Sequence, residues 1–396
     1  MSRLRSFFQL ELLFFIIISI VLVSLGFYSR AGFDDVFLRK TDLLPFVDFR
    51  PGYPPLGKLP YYSLLVLFSQ TSAYSISVYL FNMLTFFLVG TTLYFCILKL
   101  NQKRALSLGV IFLVMPSVIY LTIVYSHADA LALIFVLGAL YFIENPWLCG
   151  VLCGIGALVK FYPAVLLLPL LIYYKGIKKK TILLYSFILT ALLLSLPFLL
   201  LDPLMYVSVV TSHSLRGPSE SIFSMIDGYF GHTGFLHPTF DATIYSWQFT
   251  TVYEPSSYDH FRYQWSIPVL PYISIGLQIF SIVIISWIAR GRKDQKEAVM
   301  LISLSMFAYF AFSTFYNPII HIVEICCLVL ATLNWGKYAQ LTILVAFETV
   351  NIFHSIIWFT PVFMSIGVML PLSVAVILRA ILYVTVFLNF ARRRAI

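Results

Sequence analysis

The chain has 396 residues, 60% of them hydrophobic and 11% charged, with a formal net charge of +9. A soluble domain has too little polar surface to cover that much hydrocarbon, so the composition excludes a water-soluble globule and predicts a polytopic helical membrane protein. A transmembrane β-barrel is excluded because apolar residues run continuously instead of alternating, and the excess of Lys and Arg follows membrane topology, with no nucleic acid partner implied.

The N-terminus carries Arg3 and Arg5 ahead of a long apolar run, and no small-residue cleavage site follows it. It reads as a retained span over about residues 7 to 29, starting in the cytoplasm. That span delivers residues 30–60 to the outside, where Asp34, Asp35, Asp42 and Asp48 stand among Arg39, Lys40, Arg50 and Lys58, ahead of a stiff Tyr53-Pro54-Pro55 turn. Tyr61 to Phe68 predicts a short re-entrant or interfacial helix, and Ser69 to Ser72 separates it from span 2, about 76 to 98.

Spans 3 (about 105 to 124) and 4 (about 128 to 143) meet at an outer corner, Tyr125-Ser126-His127-Ala128-Asp129. Glu144-Asn145-Pro146 turns the chain on the inside into span 5, and Lys160-Phe161-Tyr162-Pro163 turns it outside into span 6. Lys175, Lys178, Lys179 and Lys180 follow within. Span 7 (about 181 to 200) leads to the longest polar segment, 201–266, which is rich in Gly-Pro, Gly-His and His-Pro breakers. Span 8 returns to Arg290, Arg292, Lys293 and Lys296. Spans 9 and 10 flank an outer Tyr316-Asn317-Pro318, and spans 11 and 12 finish at Arg392, Arg393 and Arg394.

The expected fold is therefore all-α: a bundle of about 12 spans forming one domain over 1–396, with both termini cytoplasmic and short helices in the first and the longest outer loops. On this parity 17 of the 26 Lys and Arg fall in short inner segments, 8 in the longer outer ones and Arg379 within a span, the density difference that the positive-inside rule demands. Trp147, Trp265, Trp287, Trp335 and Trp358 land at predicted interfaces, and all seven His fall on or near the outer side. Cys96, Cys149, Cys153, Cys326 and Cys327 lie in apolar segments and read as small buried hydrophobes.

The outer face thus combines clustered carboxylates with His127, Asp129, Lys160, Arg216 and His321. A sugar joined to a lipid phosphate already has a good leaving group. An enzyme that transfers it needs one carboxylate to take the acceptor proton and cations to hold the departing phosphate. The run Phe33-Asp34-Asp35, then Leu44 to Phe49, then Tyr53-Pro54-Pro55-Leu56 resembles the first-loop signature of glycosyltransferase family 87. Those enzymes are polyprenyl-phosphate-mannose-dependent mannosyltransferases of the GT-C superfamily. Gly156 to Pro163 is similar to that family's small-x-x-K-x-x-P span, and Phe312 to His321 to its late motif.

The resemblance implies an inverting hexosyl transfer with Asp34 or Asp35 as general base, from a polyprenyl-phosphate sugar to a lipid or glycan acceptor at the extracytoplasmic face of a cell or endoplasmic-reticulum membrane. His321, Lys160 and Arg216 are the candidates for holding the donor phosphate, and Asp48, Tyr53, His127 and Asp129 for touching or supporting the acceptor. Neither a cofactor nor a metal is expected. Bland readings stand beside these: Asp129 as a helix cap, Lys160 as a snorkelling lysine, His321 as a satisfied core residue. Arg379 is expected to form an ion pair with Glu324 or Glu348 or, alternatively, to meet a lipid phosphate. Rival activities are another GT-C transfer, protein O-mannosylation, or, in a different class, a lipid or sugar transporter or flippase, for which no internal repeat is visible.

Overall fold

The computed structural model describes residues 54–68, 73–124, 128–203, 206, 220–227, 265–290, 292, 294–314, 316, 320–359 and 369–395. The expected first span and Asp34, Asp35, Asp48, Tyr53, His127 and Arg216 lie outside the described residues. Among the described residues all regular structure is helical. Contacts divide the chain into two compact units, one of Met1–Leu167, Tyr174–Val209 and Tyr245–Val252, the other of Leu168–Tyr173, Val210–Ile244 and Tyr253–Ile396.

In the first unit, α1 (Pro55–Phe68) starts directly on the double proline, with the Gly57 N–H donating to the Pro54 carbonyl at 3.0 Å. Proline suits this position because the first turn has no use for its missing N–H. After α2 (Ala73–Leu100) come α3 (Ala105–Val114) and α4 (Pro116–Ile119), which a single straight span was expected to cover. They meet at a 63° bend. The cause is Pro116, which cannot donate to the carbonyl four residues back and pushes Met115 into an extended conformation with ψ 121°.

The next two helices, α5 (Ala128–Tyr141) and α6 (Pro146–Val159), form a tight pair. Asn145 caps α6 by accepting from the Trp147 and Leu148 N–H groups at 3.1 and 3.2 Å, with Pro146 in the first turn. Cys149 is buried and its Sγ donates to the Ala139 and Phe142 carbonyls, so the thiol serves packing. The other face of α6 lies along α8 (Ile177–Leu201). A Cβ on Gly150 would stand 2.4 Å from the Leu183 carbonyl, and one on Gly154 would stand 3.1 Å from that of Phe187, so only glycine lets the backbones approach. Past α6 the chain is extended at Lys160, then winds a 3-10 turn over Tyr162–Leu166; the following α7 (Leu167–Tyr173) is counted, from Leu168 on, in the second unit.

The second unit holds α9 (Ile222–Asp227), α10 (Leu270–Arg290), α11 (Gln295–Ala311), α12 (His321–Ala331), α13 (Lys337–Phe359) and α14 (Met369–Ala395). Beyond its polar first turn, helix α11 is buried on nearly all sides and correspondingly central, packed by α10 and α12. Its Phe307 meets Phe347 of α13 and Tyr383 of α14 edge-on, with ring centroids 5.4 and 5.2 Å away. Helices α8 and α10 instead leave rows of Leu, Ile and Phe exposed, as a lipid-facing helix does.

Four described helices are long and apolar enough to cross a membrane: residues Ile76–Leu100, Ile177–Leu201, Leu270–Arg290 and Leu372–Arg392. The bent α3–α4 pair makes a fifth when taken as one span. Spans expected at about 128 to 143, after 146, after Lys160 and at 321 correspond to shorter apolar helices of 10–17 residues. Trp147 and Trp287 are exposed, whereas Trp335 is buried in the turn between α12 and α13, not at a free interface.

Candidate functional site

Among the described residues, buried charged side chains gather at two places. In the first unit, Lys160 Nζ lies 3.0 Å from Asp129 Oδ2, and the Tyr162 hydroxyl donates to the Asp129 carbonyl at 2.8 Å. Asp129 sits in the first turn of α5, buried, where a carboxylate is favoured by the unpaired N–H groups. Lys160 is brought to it because α6 ends there: a Cβ on Gly156 would stand 2.9 Å from Pro163 Cβ and 3.0 Å from Phe135 Cβ, so a small residue lets the Pro163 corner fold back onto α5. Lys160 thus does more than snorkel, since its charge is matched by a buried carboxylate while 21% of its side chain stays exposed. Near the start of the same unit, the Tyr61 hydroxyl of α1 donates to Asn82 Oδ1 at 3.2 Å, and Asn82 in turn donates to the Ile123 carbonyl, tying α1 into the bundle.

In the second unit a buried network runs through the protein interior. His321 begins α12, 1% exposed, with Nδ1 3.9 Å from Glu324 Oε2 and Nε2 3.4 Å from Glu348 Oε2. Glu324 accepts hydrogen bonds from two hydroxyls, that of Tyr316 at 3.0 Å and that of Tyr383. Arg379 lies with its guanidinium carbon 3.3 Å from the centroid of the Tyr316 ring. Its Nη1 is 2.9 Å from His354 Nδ1, and its Nη2 donates to the Glu220 carbonyl.

A guanidinium can only donate, so His354 Nδ1 is the acceptor and the ring proton sits on Nε2, which lies 2.7 Å from Glu220 Oε2. The His354 ring also stacks on Tyr316, interplanar angle 14°. Burial pushes the Glu220 carboxyl well above the usual carboxylate range, against the pull of the Arg379 guanidinium.

This arrangement corrects the expected Arg379 ion pair. Among the described residues no carboxylate lies at ion-pair distance from Arg379; the Tyr316 ring lies against its guanidinium, and the Tyr316 hydroxyl donates to Glu324. Beside the network is a small cavity of about 30 Å³, lined by Ser221, Ser313, Tyr316, Arg379 and Tyr383 with apolar neighbours. It has room for one or two waters.

Sequence reasoning passed over Glu220, His354 and Tyr383. A signal existed for His354: Glu348, Asn351 and His354 recur at three-residue steps and make a buried polar stripe along an otherwise apolar helix. Glu220 carried none, being one acid in a polar run.

These helices and the two buried polar clusters define a multi-helical membrane protein with charged side chains held inside its helix packing. Residues 52–314 match Glycosyltransferase family 87, and the chain belongs to that family. None of the curated proteins compared with the chain matches it. The matched region takes in Tyr53, His127, Asp129, Lys160 and Arg216; Asp34, Asp35 and Asp48 precede it and His321 follows it.

Proposed function

We propose that this glycosyltransferase moves a sugar, mannose, from a polyprenyl-phosphate donor to a lipid or glycan acceptor at the extracytoplasmic face, by inversion, within one membrane domain of about twelve spans. The observation that carries the reading is the family match over residues 52–314. Asp34 or Asp35 takes the proton of the acceptor hydroxyl, the hydroxyl oxygen bonds to the anomeric carbon, and the bond from that carbon to the phosphate oxygen breaks. The polyprenyl phosphate leaves with the electron pair, so no general acid is required, and Lys160, Arg216 and His321 stabilise its charge. Asp129 supports this role by holding the Lys160 ammonium at 3.0 Å at a corner that stays partly open to solvent. Asp48, Tyr53 and His127 orient the acceptor, and no metal takes part.

The test is transfer from radiolabelled polyprenyl-phosphate mannose in membranes bearing the wild type, Asp34→Asn, Asp35→Asn or both. Loss of labelled product in one single variant and in the double variant is expected. Unchanged labelling in all three removes the proposed base.

A further inference from the structure

The segment 220–227 belongs to a polar outer stretch, yet it is pinned into the second unit at three points. Ser221 Oγ donates to the Thr314 carbonyl at 2.7 Å. Asp227 accepts from the Ser266 and Ile267 N–H groups at 3.2 and 2.7 Å, just ahead of α10. Glu220 reaches Arg379 of α14 with its carbonyl and His354 of α13 with its carboxyl. It does so at 2% exposure and with φ 48°, a backbone conformation that a residue with a side chain adopts at a cost. Among the described residues it is the sole non-glycine at positive φ. Such an outlier persists only where its surroundings over-determine it.

Those surroundings form a chain of contacts. Arg379 and His354 both rest on the Tyr316 ring, Tyr316 donates to Glu324, and Glu324 faces His321. The ring of Tyr316 and the first turn of α12 therefore lie against a guanidinium held by the Glu220 carbonyl and an imidazole whose Nε2 stands 2.7 Å from the Glu220 carboxyl. We infer that Glu220 is a positioning residue for sugar transfer: it sets Arg379 and His354, and through Tyr316 and Glu324 the His321 corner. This rests on the reading above that His321 serves the donor phosphate.

The experiment measures KM for polyprenyl-phosphate mannose and kcat, with the full chain in membranes and their endogenous acceptor, for the wild type, Glu220→Ala, Glu220→Gln and Arg379→Lys. Glu297→Gln, at the start of α11 and paired with Arg292, is the control and keeps wild-type values. Glu220→Ala keeps the carbonyl that holds Arg379 and removes the carboxyl 2.7 Å from His354 Nε2; it is expected to raise donor KM about ten-fold with kcat reduced less, the scale of one lost buried polar contact. Glu220→Gln keeps an oxygen for His354 Nε2 and should restore KM to within about three-fold of wild type. Arg379→Lys keeps the charge but not the planar fork, and should match Glu220→Ala even if that variant folds poorly.

Wild-type donor KM in Glu220→Ala and Arg379→Lys overturns the inference and leaves the proposed function standing. So does a fall in kcat alone that follows the amount of folded protein. Absence of transfer by the wild type overturns both.

Discussion

At the scale of single residues, Glu220 makes the sharpest claim about pH. Its carboxyl is held well above its ordinary value, so the folded state binds a proton that the unfolded state has already lost over the window between the two values. A raised carboxyl contributes stability below the ordinary value and loses it as pH rises through the folded one. Glu220→Gln has no such dependence. The difference in Tm between Glu220→Gln and wild type in detergent should therefore grow in favour of the variant as pH rises above about 4.5 and then level off. The opposite slope would mean that Arg379, with His354, His321, Glu324, Tyr316 and Tyr383 around it, stabilises the anion.

The Lys160–Asp129 pair gives a second test, with a different sign. Lys160→Met leaves the buried Asp129 carboxylate without that cation, at a cost of roughly 2 kcal/mol, below the full cost of breaking a buried pair because Lys160 is partly exposed. Lys160→Met combined with Asp129→Asn should recover part of the lost Tm.

At the scale of elements, the packing of α6 on α8 depends on glycine. A Cβ on Gly150 would come 1.9 Å from Ser186 Oγ and 2.4 Å from the Leu183 carbonyl. Gly150→Ala should therefore destabilise by about 1–3 kcal/mol. Adding Ser186→Gly should not restore the Tm, because the obstructing carbonyl is backbone. Gly176→Ala, with no atom within 4 Å of the added carbon, is the matched control and should leave the Tm unchanged.

The helices themselves were legible in the sequence because their apolar runs are long and their ends carry marks such as Asn145-Pro146 and Asp294, which accepts from the Lys296 N–H. Pro116 carried the bend in plain view, yet the run from 105 to 124 is apolar on both sides of it, and hydropathy alone does not register a lost hydrogen bond. Lys160 and Asp129 were singled out separately, but their meeting depends on the fold-back at Gly156. The Arg379 partners were least legible. Glu324 and Glu348 are the nearest acids in the apolar sequence, while the groups that accept from Arg379 are the His354 ring and a carbonyl 159 positions away, in a stretch whose composition suggests solvent.

At the scale of the whole molecule, length sets the depth of the charged corner. Helices α5 and α6 have 14 residues each, about 21 Å, against roughly 30 Å of hydrocarbon. Their ends coincide in kind: Asp129 and Lys160 at one end, and at the other Tyr141, whose carbonyl accepts from Lys99 Nζ at 2.8 Å. If both helices run through the bilayer, at least one of these ends lies below the lipid headgroups, where a lone charge is costly and a matched pair is tolerable. The proposed topology, an expectation from the positive-inside rule, has this corner and residues 30–60 on one side and Lys178, Lys179 and Lys180 on the other.

All five native cysteines are buried and free, so labelling with an impermeant maleimide starts from a low background. Arg39→Cys should label in intact cells and Lys179→Cys only after permeabilisation. The reverse pattern would put the aspartates on the cytoplasmic face, where a donor presented outside could not meet them.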